Sequence, residues 1–276
     1  MKKHSSKFKK ITLLALTVIA SLTLVGCGGG DKSTAAREHL KVGATAVPHA
    51  EILNEVKPIL AKDGIDLEIV EFNDYVQPNL ALNDKELDAN FFQHEPYLEN
   101  FIEEHKEVKL KNVAGIHIEP MGIYSKKIKD LKNLPQNAFV AIPNDPTNEG
   151  RALLLLQQAG LLKLKDGINE KGTVQDIVEN TQNISFKEVE AAQVPRTLED
   201  VDAAVINTNY AMTAELVPTR DALFMEDSSS PYVNIIVVRQ GDENRSGIQA
   251  LIKAVKSDEI KNFINEKYKG AVVPAF

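Results

Sequence analysis

KVGATAV (41–47), DLEIVEF (66–72) and DANFF (88–92) are three β-prone runs, and the residues between and after them carry helical spacing. Ile52, Leu53, Val56 and Leu60 mark one face of a helix over 49–62, which Pro58 is expected to interrupt or kink. A shorter helix is predicted over 77–86 and another from Pro96 to about His105. Strands and helices alternating at this spacing predict βαβ units and a parallel sheet. A long, mostly extended stretch, 110–124, is crossed by Gly115, Pro120 and Gly122, and the alternation then restarts. Residues 139–143 read as a strand and 146–159 as a helix, with Gly160 behind it as C-cap. Short strands are expected over 184–189, 203–206 and 222–225, a strong one over 232–239, and a single amphipathic helix over 247–267. The pattern predicts an α/β chain of two lobes, 40–118 plus 232–276 and 119–231, hinged where the chain crosses near Pro120 and Pro231.

The N-terminus reads differently. Its first ten residues hold Lys2, Lys3, Lys7, Lys9 and Lys10 and no acid, and an apolar run of about 14 residues follows. A membrane-spanning helix needs roughly 20 apolar residues, so this run fits a secretory leader instead. Leu24-Val25-Gly26-Cys27 resembles the lipobox of bacterial lipoproteins, which implies cleavage after residue 26 and lipid on Cys27, the only cysteine. Several acyl chains there would anchor the chain stably to a membrane. Residues 1–26 are then a signal peptide and 27–39 a flexible, Gly-rich tether, with the folded part starting at Leu40. The formal net charge of −7 becomes −12 once the five leader lysines depart, because no acid leaves with them. An acidic surface of that kind argues against nucleic acid and against charge-driven binding to anionic lipid. With Cys27 lipidated, no disulfide is available and stability must come from the core.

Three constellations sit where strands end, the usual place for ligands in open α/β sheets. Asn73-Asp74-Tyr75 follows the second strand, and FFQHEPY (91–97) follows the third. Phe92 and His94 point to one side of an extended segment, and Pro96 in a first helical turn brings Tyr97 back over that end. Tyr75, Phe92, His94 and Tyr97 could form an aromatic wall suited to an apolar, polarizable group such as a thioether. Plain core packing of both phenylalanines, with His94 as a cap, fits the same residues. In IPNDPTNEGR (142–151), Asp145 is a good N-cap, and Asn148 and Arg151 share a helix face. That arrangement suits a carboxylate, and capping plus a surface arginine is the alternative. Asn207-Thr208-Asn209-Tyr210 forms the third constellation, together with Asn234, which interrupts an apolar strand and must be hydrogen-bonded either to backbone or to a ligand. Motifs for a serine hydrolase, a phosphate loop or a dinucleotide fold are absent. His117 and Glu119, two apart, could meet a metal with His94, but no metal or cofactor is expected, since no dense ligand cluster backs them.

FNDYVQPN (72–79), DANFFQHEPYL (88–98), IPNDPTNEGRAL (142–153) and SPYVN (230–234) resemble the methionine-binding lipoproteins of the NlpA family, in order and over most of the chain. The resemblance implies a two-lobed periplasmic-binding-protein fold (type II-like) with the ligand cleft between the lobes. It implies a monomeric, non-enzymatic, lipid-anchored receptor on the extracytoplasmic side of the cell membrane. Such a receptor binds L-methionine and passes it to the permease and ATPase of an ABC transporter. By the same resemblance, Tyr75, Phe92, His94 and Tyr97 cage the thioether side chain, Arg151 with Asn148 takes the carboxylate, and Asn207 and Asn234 hold the backbone end. D-methionine, a methionine-containing dipeptide, or a surface interaction role with a vestigial cleft are the other readings. Arg151→Ala is expected to abolish binding while leaving the chain folded.

Overall fold

The structure, a computed structural model, describes residues 38–227 and 229–276; the leader, Cys27 and the tether up to residue 37 lie outside the described residues. The first strand, β1 (Glu38–Thr45), leads into α1 (Glu51–Lys62), β2 (Ile65–Phe72), α2 (Gln77–Asn83), β3 (Ala89–His94), α3 (Glu95–Glu104) and β4 (Leu110–Ile118). A middle section follows with β5 (Gly122–Tyr124), β6 (Phe139–Pro143), α4 (Pro146–Gln158), β7 (Lys163–Leu164), β8 (Ile177–Glu179) and β9 (Ser185–Val189). It continues through β10 (Ala203–Ile206), α5 (Thr208–Thr213), α6 (Pro218–Asp221) and β11 (Phe224–Met225). The chain closes with β12 (Val233–Arg239), α7 (Ser246–Val255), α8 (Asp258–Tyr268) and β13 (Val273–Pro274).

Two main sheets result. The first has the order β13-β4-β12-β3-β1-β2 and the second β11-β5-β10-β6-β9, with β7 and β8 pairing apart. In the first, β2, β1 and β3 run parallel, while β12 lies antiparallel between β3 and β4. All six residues of β3 are buried, as a strand covered on both faces requires. Alternation sends Phe91 into the core beneath α1, α7 and α8, and Phe92 into the opposite one beneath α2 and α3. The second sheet is likewise packed on both sides, by α4 on one face and by the turns of 191–199 on the other. Twice the chain passes between the sheets, at 119–121 and at 226–232. Among the described residues no helix is long and apolar enough to cross a membrane.

Several local expectations change. The first strand spans Glu38–Thr45 rather than 41–47, and the folded part starts before Leu40, because the Glu38 N–H bonds the Gly64 carbonyl and its carboxylate holds Ser246 and the Gly247 N–H. Pro58 does not break α1: it sits on the exposed face, while Ile52, Leu53, Val56 and Leu60 fasten both halves to the core. The second helix stops at Asn83, just before Lys85 turns left-handed with φ 66°. The single closing helix is two, because the Ser257 hydroxyl caps a new N-terminus by accepting the Ile260 N–H. Helix α5 and edge strand β13 had no counterpart in the sequence reading.

Candidate functional site

A narrow pocket lies between the two sheets. The first sheet and its turns contribute Phe92, Gln93, His94 and Asn234, with Tyr75 from the turn after β2 and Tyr97 from α3. Asn148 and Arg151 enter from α4, Asn207, Thr208 and Asn209 from the start of α5, and Glu119 from the first crossing. Tyr75, Phe92, His94, Tyr97, Asn148, Arg151, Asn207 and Asn234, the eight side chains singled out from sequence, thus line one cavity.

One end of it is aromatic. Tyr75 lies with its ring centroid 5.9 Å from Phe92, 5.7 Å from Tyr97 and 4.9 Å from Tyr210. The wall is tied down at its polar tips: the Tyr75 hydroxyl donates to Asn209 Oδ1 at 2.6 Å and the Tyr97 hydroxyl to the Tyr75 carbonyl at 3.1 Å. His94 is both cap and lining residue. Its Nδ1 accepts the Tyr97 N–H at 3.2 Å, which leaves the proton on Nε2, 3.3 Å from Asn148 Oδ1. Burial, reinforced by the nearby Arg151 charge, lowers its pKa to about 3, so the ring is neutral.

The other end is built on the N-terminus of α4. Asp145 caps the helix by accepting the Asn148 N–H at 3.0 Å, and Pro146 opens its first turn. The Asn148 amide donates to both Asp145 oxygens, at 2.9 and 3.0 Å, and its Oδ1 accepts from Asn207 Nδ2 at 2.7 Å. Asn207 Oδ1 and Asn209 Nδ2 are left buried without a hydrogen-bond partner, an acceptor and a donor at the cavity wall. Orphans of this kind are costly unless a ligand or water meets them. Helix α4 is seated tightly here. A Cβ at Gly150 would lie 2.3 Å from the Glu170 carbonyl oxygen and 2.9 Å from the Gly172 nitrogen, both backbone. Gly150→Val is therefore expected to cost more than about 3 kcal/mol, at the upper end of overpacking effects, and to weaken ligand binding by shifting Arg151. Denaturant unfolding followed beside a binding titration checks it.

Arg151 is 3% exposed and more committed than its position implied. Its Nε donates to Glu226 Oε1 at 2.8 Å and its Nη2 to Glu226 Oε2 and to the Glu119 carbonyl, the last at 2.8 Å. The guanidinium also lies 4.2 Å from the Tyr232 ring centroid. Glu226 Oε2 accepts the Met121 N–H at 2.9 Å as well, so one arginine and one glutamate bind both crossings together. Nη1 makes no hydrogen bond among the described residues.

Behind Asn234 lies a buried group of His49, His117 and Glu119, whose potential ligand atoms fall within 4.8 Å of one another. The sequence reading paired His117 and Glu119 with His94; His94 instead bonds Asn148, and His49 stands in its place. Hydrogen bonds already occupy these atoms: Glu119 Oε1 lies 2.7 Å from His117 Nε2 and 3.2 Å from His49 Nε2. Burial lowers His49 to about 4, against the pull of Glu119, and lowers His117 to about 3, while burial raises Glu119. Each histidine is neutral in the fold and takes up a proton on unfolding at any pH below the ordinary value near 6.5. The depressed pKa thus costs stability as pH falls from about 6.5 toward the folded value, by up to about 1.4 kcal/mol per pH unit for each ring. His117→Gln is expected to flatten the slope of unfolding free energy against pH between about 6 and 5 by that amount, read by urea unfolding at several pH values.

With this geometry in hand, the comparisons with known proteins are decisive about ancestry. The model of the family described as NlpA lipoprotein matches residues 40–276. The chain belongs to the NlpA lipoprotein family. It is 45% identical over 273 residues to a D-methionine-binding lipoprotein MetQ of Yersinia pestis, covering 98% of both chains. To the methionine-binding lipoprotein MetQ of Bacillus subtilis it is 41% identical over 270 residues, 96% of this chain and 98% of the relative. Among solved structures, a nutrient-binding protein of Burkholderia cenocepacia bound to methionine superposes with a TM-score of 0.83 at 48% identity, covering 86% of this chain and all of that one (100%). The architecture is accordingly the two-lobed periplasmic-binding-protein fold with its cleft between the lobes, and the relatives are substrate-binding proteins rather than enzymes.

Some residues in the pocket, and two beside it that hold Arg151, carry no signal of their role in the sequence. Gln93 belonged to a quoted motif but had no role; its amide bonds Asn79, which bonds Asn90, in a fully buried amide network that stiffens β3. Glu119, a candidate metal ligand by sequence, lines the pocket and bonds His117. Tyr232 stood in the SPYVN motif without a function, and its ring under Arg151 is the missing one. Glu226 had no local signal at all.

Proposed function

We propose that this chain binds L-methionine in the pocket between its lobes and delivers it to the permease and ATPase of an ABC importer. The observation that carries the reading is the pocket's polarity. Aromatic rings line one part of the wall, and an arginine, an unpartnered amide acceptor and an unpartnered amide donor line the rest. That division matches an amino acid with a thioether side chain and a zwitterionic end. In this reading Tyr75, Phe92, His94 and Tyr97 hold the side chain, Arg151 with Asn148 faces the carboxylate, and Asn207 and Asn234 hold the backbone end. The names of the relatives, which bind methionine, support it. D-methionine is the second reading, favoured by the D-isomer in the relative from Yersinia pestis.

Ligand contacts from both lobes favour the closed arrangement, a hinge-type population shift in which no bond is made or broken. The chain acts as a monomer, held by lipid on Cys27 to the extracytoplasmic face of the membrane. Uptake of labelled methionine by cells lacking the chain tests this. Wild type is expected to restore uptake and Cys27→Ala to lose most of it. Uptake unaffected by the chain's removal or return would contradict the delivery role.

A further inference from the structure

His49 is 1% exposed, lies outside the pocket lining and has no part in the ligand contacts above. Its Nε2 faces two oxygens, Asn234 Oδ1 at 3.0 Å and Glu119 Oε1 at 3.2 Å, and its Nδ1 faces the Thr45 hydroxyl at 2.7 Å. With Glu119 ionised, two acceptors face one ring nitrogen and require a proton there, and the Thr45 hydroxyl then donates to the bare Nδ1. Glu119 Oε1 is itself held in place by His117 Nε2 at 2.7 Å. The alternative orientation of Asn234, with Nδ2 toward His49, needs a bare Nε2 whose lone pair would point at the Glu119 carboxylate. Glu119 therefore selects the tautomer of His49, and His49 selects the rotamer of Asn234. With Oδ1 engaged, the Nδ2 donors make no hydrogen bond among the described residues, and Asn234 lines the pocket.

We propose that His49 is a positioning residue for ligand recognition: held by Thr45 and Glu119, it pins Asn234 so that the amide presents N–H donors, never its oxygen, to the carboxylate of the bound amino acid. The amide thus joins Arg151 in reading the anionic end. This rests on the amino-acid reading above, but the orientation of Asn234 can be tested without ligand.

In the full chain, labelled with ¹⁵N-histidine and held in detergent, long-range ¹⁵N–¹H correlation reports which nitrogen of His49 carries the proton. The Nε2–H tautomer is expected, and an Nδ1–H tautomer overturns the proposal. Affinity for L- and D-methionine is then measured for His49→Leu, Asn234→Ala and the double variant. His49→Leu is expected to weaken binding by about ten- to a hundredfold in the wild-type background and less than about twofold in the Asn234→Ala background. His49→Gln, whose amide places a donor near the Nε2 position, is expected to restore most of the loss. An equal factor in both backgrounds would mean a purely structural histidine and overturn the proposal. If His49→Leu does not fold, Thr45→Val carries the same cycle. If neither isomer binds the wild type, the functional reading fails, while the tautomer still decides how Asn234 is turned.

Discussion

Arg151→Ala is expected to abolish methionine binding and at the same time to lower the unfolding free energy by about 3–5 kcal/mol. The first effect follows from the loss of the cation at the polar end of the pocket, where hydrogen bonds to charged groups are worth enough that a hundredfold or greater loss of affinity is expected. The second departs from the sequence-based expectation of a folded, merely non-binding variant. Glu226, whose side chain is 8% exposed, would keep only the Met121 N–H as a partner and be a buried charge without a counter-charge. Because that pair joins the two crossings, the weakening falls on the segments that connect the lobes. Arg151→Ala combined with Glu226→Gln separates the effects: stability returns to within about 1–2 kcal/mol of wild type, since no charge is left stranded, and binding does not return. Chemical unfolding of both variants beside calorimetric titration gives the two numbers. Unchanged affinity in either variant would remove Arg151 from the carboxylate role.

Asn148→Asp is the second large effect, and it is nearly isosteric. The Asn148 amide nitrogen donates to both oxygens of Asp145, at 2.9 and 3.0 Å, inside a site where burial already raises the Asp145 pKa. A carboxylate in its place faces a carboxylate, and both cannot ionise at that distance. At neutral pH the variant is expected to lose about 3–5 kcal/mol, the cost of keeping a carboxyl protonated about three pH units above its unfolded pKa. The sign of its pH dependence is distinctive. The folded pair holds a proton that the unfolded chain has released, so stability of the variant relative to wild type rises as pH is lowered toward the unfolded carboxylate range near 4. Urea unfolding at pH 7.5 and 5.5 checks this. A variant no less stable than wild type at pH 7.5 would contradict the packed Asp145–Asn148 arrangement.

Much of this site was legible because it is locally encoded. His94 followed by Glu95-Pro96-Tyr97 specifies a strand running into a capped helix, and Asp145-Pro146 does the same for α4. The side chains just before and after those caps necessarily sit at strand ends. Strands 139–143 and 203–206 were read to the residue, since short apolar runs bounded by polar turns leave little choice. The misreadings have equally local causes. Ser257-Asp258-Glu259 is a helix start, but the apolar spacing runs through it without a break, so two helices looked like one. Pro58 looked like a breaker because its exposed position could not be seen from the sequence. What no local pattern holds is convergence across the chain. Glu226 meets Arg151 from 75 residues away and His49 meets Asn234 from 185, and neither residue has any neighbour in sequence that announces its task.

The central claim is that this pocket takes one free methionine. The chain, stripped of ligand by unfolding and refolding, should be titrated with L-methionine in a calorimeter, with D-methionine, glycyl-methionine and leucine beside it. Saturable heat with one methionine isomer per chain, tightest for the L-isomer and much weaker for leucine, is the predicted result. Silence from all four in a protein shown to be folded would contradict it, and would leave a protein-interaction role with an unused cleft as the better description.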